Sequence, residues 1–104
     1  MKTIIAGLLG ALALAALAHP ARAADAGKGE LMAKRWCAAC HVVAPDQERG
    51  GTQAPTFSEI ASKPGFDASK LALFLLVPHP QMPDMNLSRA EAADLAAYIA
   101  AQSK

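Results

Sequence analysis

The only two cysteines of the chain stand three residues apart and run straight into a histidine, Cys37-Ala38-Ala39-Cys40-His41. On one helical turn, thiols at i and i+3 face the same way and an imidazole at i+4 is carried alongside them. That arrangement suits covalent capture of a haem: the two thiols add to neighbouring vinyl groups, and the imidazole reaches the iron. A chance Cys-x-x-Cys-His occurs in on the order of one chain of this length in a thousand, so the false-positive risk is small. Other uses of the same residues fit less well. A redox dithiol belongs at the start of a helix in a βαβ setting, and no strand pattern surrounds this one. A structural zinc site needs four ligands, and beyond Cys37, Cys40 and His41 only His79 remains in residues 24–104 as a strong nitrogen or sulfur donor. A Cys37–Cys40 disulfide would close so short a loop that it would constrain the unfolded chain little.

The elements that must position this motif are few. A chain of 104 residues with 10 Lys+Arg and 9 Asp+Glu leaves room for one small domain and excludes a large multi-domain enzyme. Residues 1–23 read as a cleaved secretory signal: Met1-Lys2 is a basic start, Thr3 to Ala18 is uncharged and mostly apolar, and Ala21-Arg22-Ala23 presents small residues for cleavage. An apolar run of 16 residues is short of the roughly 20 that span a bilayer, so a retained anchor is the weaker reading. His19 leaves with the signal. The remaining domain, 24–104, is about 48% apolar, ordinary for a globular protein. It carries 8 basic and 9 acidic residues, which gives no electrostatic footprint for nucleic acid. A domain of this size buries a small core and commonly relies on a covalent or cofactor staple.

Alanine richness and the absence of strand patterns predict an all-α domain. A first helix is expected from Ala26 to Ala39, capped by Asp25 and using Leu31, Met32 and Trp36, leading into the motif. Pro45 to Pro55 is a polar loop. Thr56-Phe57-Ser58-Glu59 has the capping-box pattern and starts a short helix that Pro64-Gly65 ends. Asp67 caps a helix from Ala68 to about Leu76, expected to bury Leu71, Phe74 and Leu75 and to stop at Pro78. Pro78-His79-Pro80-Gln81-Met82-Pro83 is a stiff extended loop. Ser88 and Glu91 form a second capping box on a terminal helix whose face of Leu95, Tyr98, Ile99 and Gln102 needs the first helix as partner.

With these elements in order, the chain resembles the class I cytochromes c over nearly all of 24–104. The resemblance rests on Cys-Ala-Ala-Cys-His after the first helix, Ala54-Pro55-Thr56-Phe57, the Met82-Pro83 loop, and Leu-Ser-x-x-Glu-x-x-Asp-Leu-x-x-Tyr-Ile from Leu87 to Ile99. It implies a fold of three to four helices wrapped around one haem c, covalent through Cys37 and Cys40. It implies His41 as proximal ligand, the Pro55 carbonyl as acceptor of its Nδ1–H, and Met82 as distal ligand. Met82 has the family's proline and its spacing to the helix cap, whereas Met85 lacks both and reads as apolar filler. His79 reads as a surface histidine rather than a ligand. Gly29 is expected to let the first and terminal helices close on each other at Leu95 and Tyr98. The chain has Ala33 where the family often has an aromatic ring, a volume Trp36 is expected to supply by packing in the core or at the haem edge. Gln53, Arg35 and Arg49 are candidates for the haem propionates.

The implied function is one-electron transfer between redox proteins, with no catalysis because His41 and Met82 together fill the iron's coordination. The expected setting is the periplasm, as a monomer docking briefly with redox partners. No nucleic acid or small-molecule substrate is expected, and membrane contact comes only through partners or an uncleaved signal. The alternatives are a haem subunit or domain partner of a larger oxidoreductase, and a small haem enzyme or gas sensor should the Met82 bond be labile.

Overall fold

A computed structural model describes residues 22–51, 53–77 and 81–104. Residues 1–21 of the expected signal, with His19, and Pro78, His79 and Pro80 lie outside them. The described residues form four α-helices and no β-strand: α1 (Ala26–Met32), α2 (Phe57–Ala61), α3 (Ala68–Leu76) and α4 (Arg89–Ala100).

Each helix starts where a short polar side chain can satisfy free backbone N–H groups. Asp25 accepts from Lys28 N at the head of α1, and Asp67 accepts from Lys70 N at the head of α3. Both anticipated capping boxes are closed in both directions, Thr56 with Glu59 and Ser88 with Glu91. The hydrogen bonds from Thr56 hold the Glu59 carboxyl below the usual carboxylate range. At its other end α3 stops at Val77, whose extended backbone is the conformation a following proline favours.

The first helix departs from the expected single α-helix. After Met32 it widens into a π-helical turn, Ala33–Cys37, in which Ala38 N bonds to Ala33 O. Its buried residues are Gly29, Ala33 and Cys37, four apart, so they form one stripe. Leu31 is 71% exposed and Trp36 40% exposed, so of the three residues expected on the packing face Met32 packs on the core and the other two do not. Trp36 therefore does not pack in the core beside Ala33. The reason is separation: α1 packs on α4, and interaxial distance is set by the side chains at the contact. A Cβ on Gly29 would overlap the Asp94 carbonyl oxygen and come within 2.9 Å of Tyr98 Cβ. The contact is with the Asp94 backbone and Tyr98; Leu95 is not among the nearest atoms.

Across the same crossing, Asp25 N donates to Asp94 Oδ1 at 2.7 Å. Helix α4 also receives α3 and α2. The core comprises Ala33, Cys37, Val43, Ala44, Phe57, Ala61, Leu95, Tyr98 and Ile99. Tyr98 Oη donates to Val43 O at 2.7 Å, so the one buried hydroxyl of this cluster is satisfied. Gln102, expected on the same face, is half-buried and bonds back to Tyr98 O.

Because the obstacle facing Gly29 is backbone, neighbouring rotamers cannot relieve it. Gly29→Ala is expected to cost about 3 kcal/mol, a fall in Tm of about 12–24 °C for a domain of this size. Thermal unfolding followed by circular dichroism checks it.

Candidate functional site

Cys37 closes the π-helical turn, and the chain then makes one more turn: Cys40 N and His41 N both donate to Cys37 O, at 3.2 and 2.9 Å. Both thiols are free. Cys37 is buried in the core, where loss of solvent pushes its thiol up to about 11, and Cys40 is exposed. A buried neutral thiol and an exposed one on the same turn form an apolar edge with two sulfur attachment points.

The loop from Val42 to Thr56 folds back over this turn. Ala54 N donates to Cys40 O at 3.1 Å and Phe57 N to Val42 O at 2.9 Å. Gly50 and Gly51 have φ of +76° and +81°, a left-handed backbone that glycine adopts at low cost. A Cβ on Gly51 would lie 2.7 Å from Val42 N. This return places Pro55 beside His41, whose Nδ1 stands 2.6 Å from Pro55 O. A carbonyl oxygen only accepts, so Nδ1 carries the proton and Nε2 keeps its lone pair. The imidazole is thereby fixed as a nitrogen donor at one atom, as in metal-ligating histidines generally. Phe57 supports the ring, with centroids 5.4 Å apart.

One residue that holds the loop had no signal in the sequence. Gln47, set between charged residues in a polar stretch, accepts from Val43 N at 2.8 Å. Its Nε2 lies within 3.1 Å of Ala38 O and 2.9 Å of both His41 O and Arg49 O. Gln47 thus ties the first half of the loop, at Val43 and Arg49, to the turn carrying His41. Gln47→Ala removes these bonds together and is expected to cost about 2 kcal/mol. Faster amide exchange at Val43, against unchanged exchange in α4, is the measurement that checks it.

Cys37, Cys40, His41 and Pro55 are brought together. Met82 arrives on a separate segment, half-buried between Gln81, with φ of +78°, and Pro83. Met85 is half-buried and packs on the core. The propionate candidates are all exposed. The Arg35 guanidinium lies 5.8 Å from the Trp36 ring centroid, and Gln47 engages the Arg49 carbonyl.

The residues present fit a flat, apolar, tethered group. Helix α3 reads Ala-Ser-Lys-Leu-Ala-Leu-Phe-Leu-Leu yet has no buried residue. Leu71 and Leu75 are only half-buried, and Phe74, expected to be buried, is 52% exposed. Ile60, Phe66, Met85 and Leu87 also border the Cys37 core while remaining half-buried. Among fully buried side chains the largest are Leu95 and Val43, a small core for a stable domain. Two thiols, one oriented nitrogen and this apolar margin are the donor set that covalent haem requires. Among the described residues no group of three or more His, Cys, Asp or Glu could hold a bare metal ion.

Compared with known proteins, the chain is 50% identical over 99 residues to cytochrome c-552 of Bradyrhizobium diazoefficiens, covering 95% of both chains. No family model matches the chain. No solved structure matches it.

Proposed function

The chain belongs to the class I c-type cytochromes, and from that membership we propose that it carries single electrons between redox proteins of the periplasm with its iron held by His41 and Met82. It is an electron-transfer protein with covalent haem c. The haem, tethered by Cys37 and Cys40, supplies the one-electron iron couple.

The chain's own residues do the rest. His41 presents Nε2 to one face, and the observation that carries this reading is the 2.6 Å contact of Nδ1 with Pro55 O, which assigns the tautomer. Met82 supplies a thioether to the other face from the segment entering α4. A thioether favours the reduced state relative to imidazole or hydroxide, so Met82 would raise the potential relative to either of those ligands. Held by both His41 and Met82, the iron would offer no place for a substrate, and these residues would make the protein a carrier rather than an enzyme. The Pro55 bond and the Gln47 clasp hold the His41 side rigid, so electron transfer demands little rearrangement there.

Residues 1–23 serve as a cleaved export signal ahead of the single domain 24–104. Partners dock transiently on a small surface, and near-zero net charge offers little long-range steering. No helix among the described residues is long and apolar enough to cross a membrane.

The test is a pair of visible spectra, ferric and ferrous, of protein matured in an exporting host that attaches haem. A weak far-red charge-transfer band in the ferric form, and slow carbon monoxide binding to the ferrous form at neutral pH, are expected. Absence of the band with rapid carbon monoxide binding would favour a sensor or enzyme, and stable co-purification of a large subunit would favour a fixed place in an oxidoreductase.

A further inference from the structure

Asp94 is 5% exposed, the one buried charged side chain among the described residues. Its hydrogen bond is from Asp25 N, 2.7 Å away and 69 residues distant in sequence. Among those same residues the ion pair within 4 Å is Lys34–Glu30, so no side-chain cation accompanies Asp94. A buried carboxylate normally has a cationic partner or several hydrogen bonds. Here a cation stands one residue away once the signal is removed, because cleavage after Ala23 turns Ala24 into the first residue. Its nitrogen then becomes an ammonium about 3–4 Å of chain from the N–H that Asp94 already holds.

We propose that Asp94 is a binding site for the α-ammonium of the processed chain, so that signal removal completes the α1–α4 crossing. This rests on the reading of residues 1–23 as a cleaved signal. Ala24 borders α4 at a surface cavity lined by Ala93, Ala96, Ala97 and Arg89; Asp94 lies outside that lining and is joined to the head of α1 by the bond from Asp25 N, the next residue. The other charged groups there are the Asp25 carboxylate, occupied by Lys28 N, Lys28 one turn on, and Arg89. Helix α3 contributes Ala68, Ser69, Ala72, Leu73 and Leu76 to the cavity and no charged side chain. Before cleavage the same nitrogen is an uncharged amide and brings no charge to Asp94.

The sign of the pH effect follows. Pairing raises the folded amine above its ordinary value of about 7.7–8.0. The stabilisation is therefore fully present below that range and is lost as pH rises through the folded value.

The test uses secreted, haem-loaded protein. Mass spectrometry is expected to place the first residue at Ala24. NMR titration of the Ala24 Cα and Cβ resonances is expected to give a midpoint about one unit or more above the ordinary value, returning to ordinary in Asp94→Asn. Two glycines inserted after Ala23 carry the ammonium away and are expected to lower Tm in the parent chain but not in Asp94→Asn. An ordinary midpoint for Ala24 in the parent overturns the proposal, as does an equal Tm loss in both backgrounds. A mass showing a different first residue overturns it through the processing reading alone, leaving the haem assignment intact. If Asp94→Asn fails to fold, the parent titration and the glycine insertion still decide: an ordinary midpoint, or an unchanged Tm on insertion, overturns it.

Discussion

Replacing both thiols, as Cys37→Ala with Cys40→Ala, is expected to give a secreted chain whose haem is extracted by acidic organic solvent and which does not hold a cooperative fold. The two residues contribute in different ways. Cys37 belongs to the core cluster with Ala33 and is 9% exposed, so its truncation removes a buried side chain from that core. Cys40 is exposed, and its loss removes an attachment point with little loss of packing. The larger effect is shared. Without a tether the haem dissociates, and the half-buried margin of Leu71, Leu75, Phe66 and Leu87 is left facing water.

A bound group stabilises by its affinity for the folded state, and a core with Leu95 and Val43 as its largest fully buried side chains has little in reserve. Circular dichroism melts and pyridine haemochrome spectra before and after solvent extraction measure both effects. A compact, colourless double variant with a sharp melt would overturn the view that this fold depends on its cofactor.

Met82→Ala is the second large effect. Removing the thioether opens the sixth position to water or added ligand, and the potential is expected to fall by a few tenths of a volt, within the roughly 0.8 V that axial ligands span. The ferric far-red band should vanish, and the ferrous form should bind carbon monoxide rapidly. Met85→Ala is the control. Met85 packs on the core, so its truncation is expected to cost about 1–2 kcal/mol of stability, less than a fully buried methionine would, with the band and potential retained. Redox titration with carbon monoxide mixing distinguishes the two. The reverse pattern would make Met85 the ligand.

These predictions draw unequally on sequence and structure. The helix starts were legible because a cap acts over three residues: Asp25, Thr56, Asp67 and Ser88 each bond to the N–H three positions on. The haem motif was legible for the same reason, its geometry contained in five consecutive residues. Pro55 was found through resemblance, since nothing local links it to a histidine 14 residues earlier.

On the first helix hydrophobicity ranks Leu31 and Trp36 above Ala33, yet Ala33 is the one buried, whereas Gly29 meets α4 as the resemblance implies. Hydrophobic pattern predicts burial when helices pack at ordinary distance, and here α1 and α4 approach until a Cβ at Gly29 has no room. Phe74 was misassigned for a different reason: α3 is apolar enough to be covered, yet the protein chain covers none of its residues completely.

What the sequence by itself determined is the chemistry of the attachment turn, the order of the helices and their beginnings, all of which depend on neighbours within one turn. Tertiary structure alone decided that Ala33 rather than Leu31 or Trp36 is buried on the first helix, that Gln47 clasps the loop, and that Asp94 meets the head of α1. Those outcomes depend on backbones brought together from as far as 69 residues apart, and that proximity exists only once the helices have crossed.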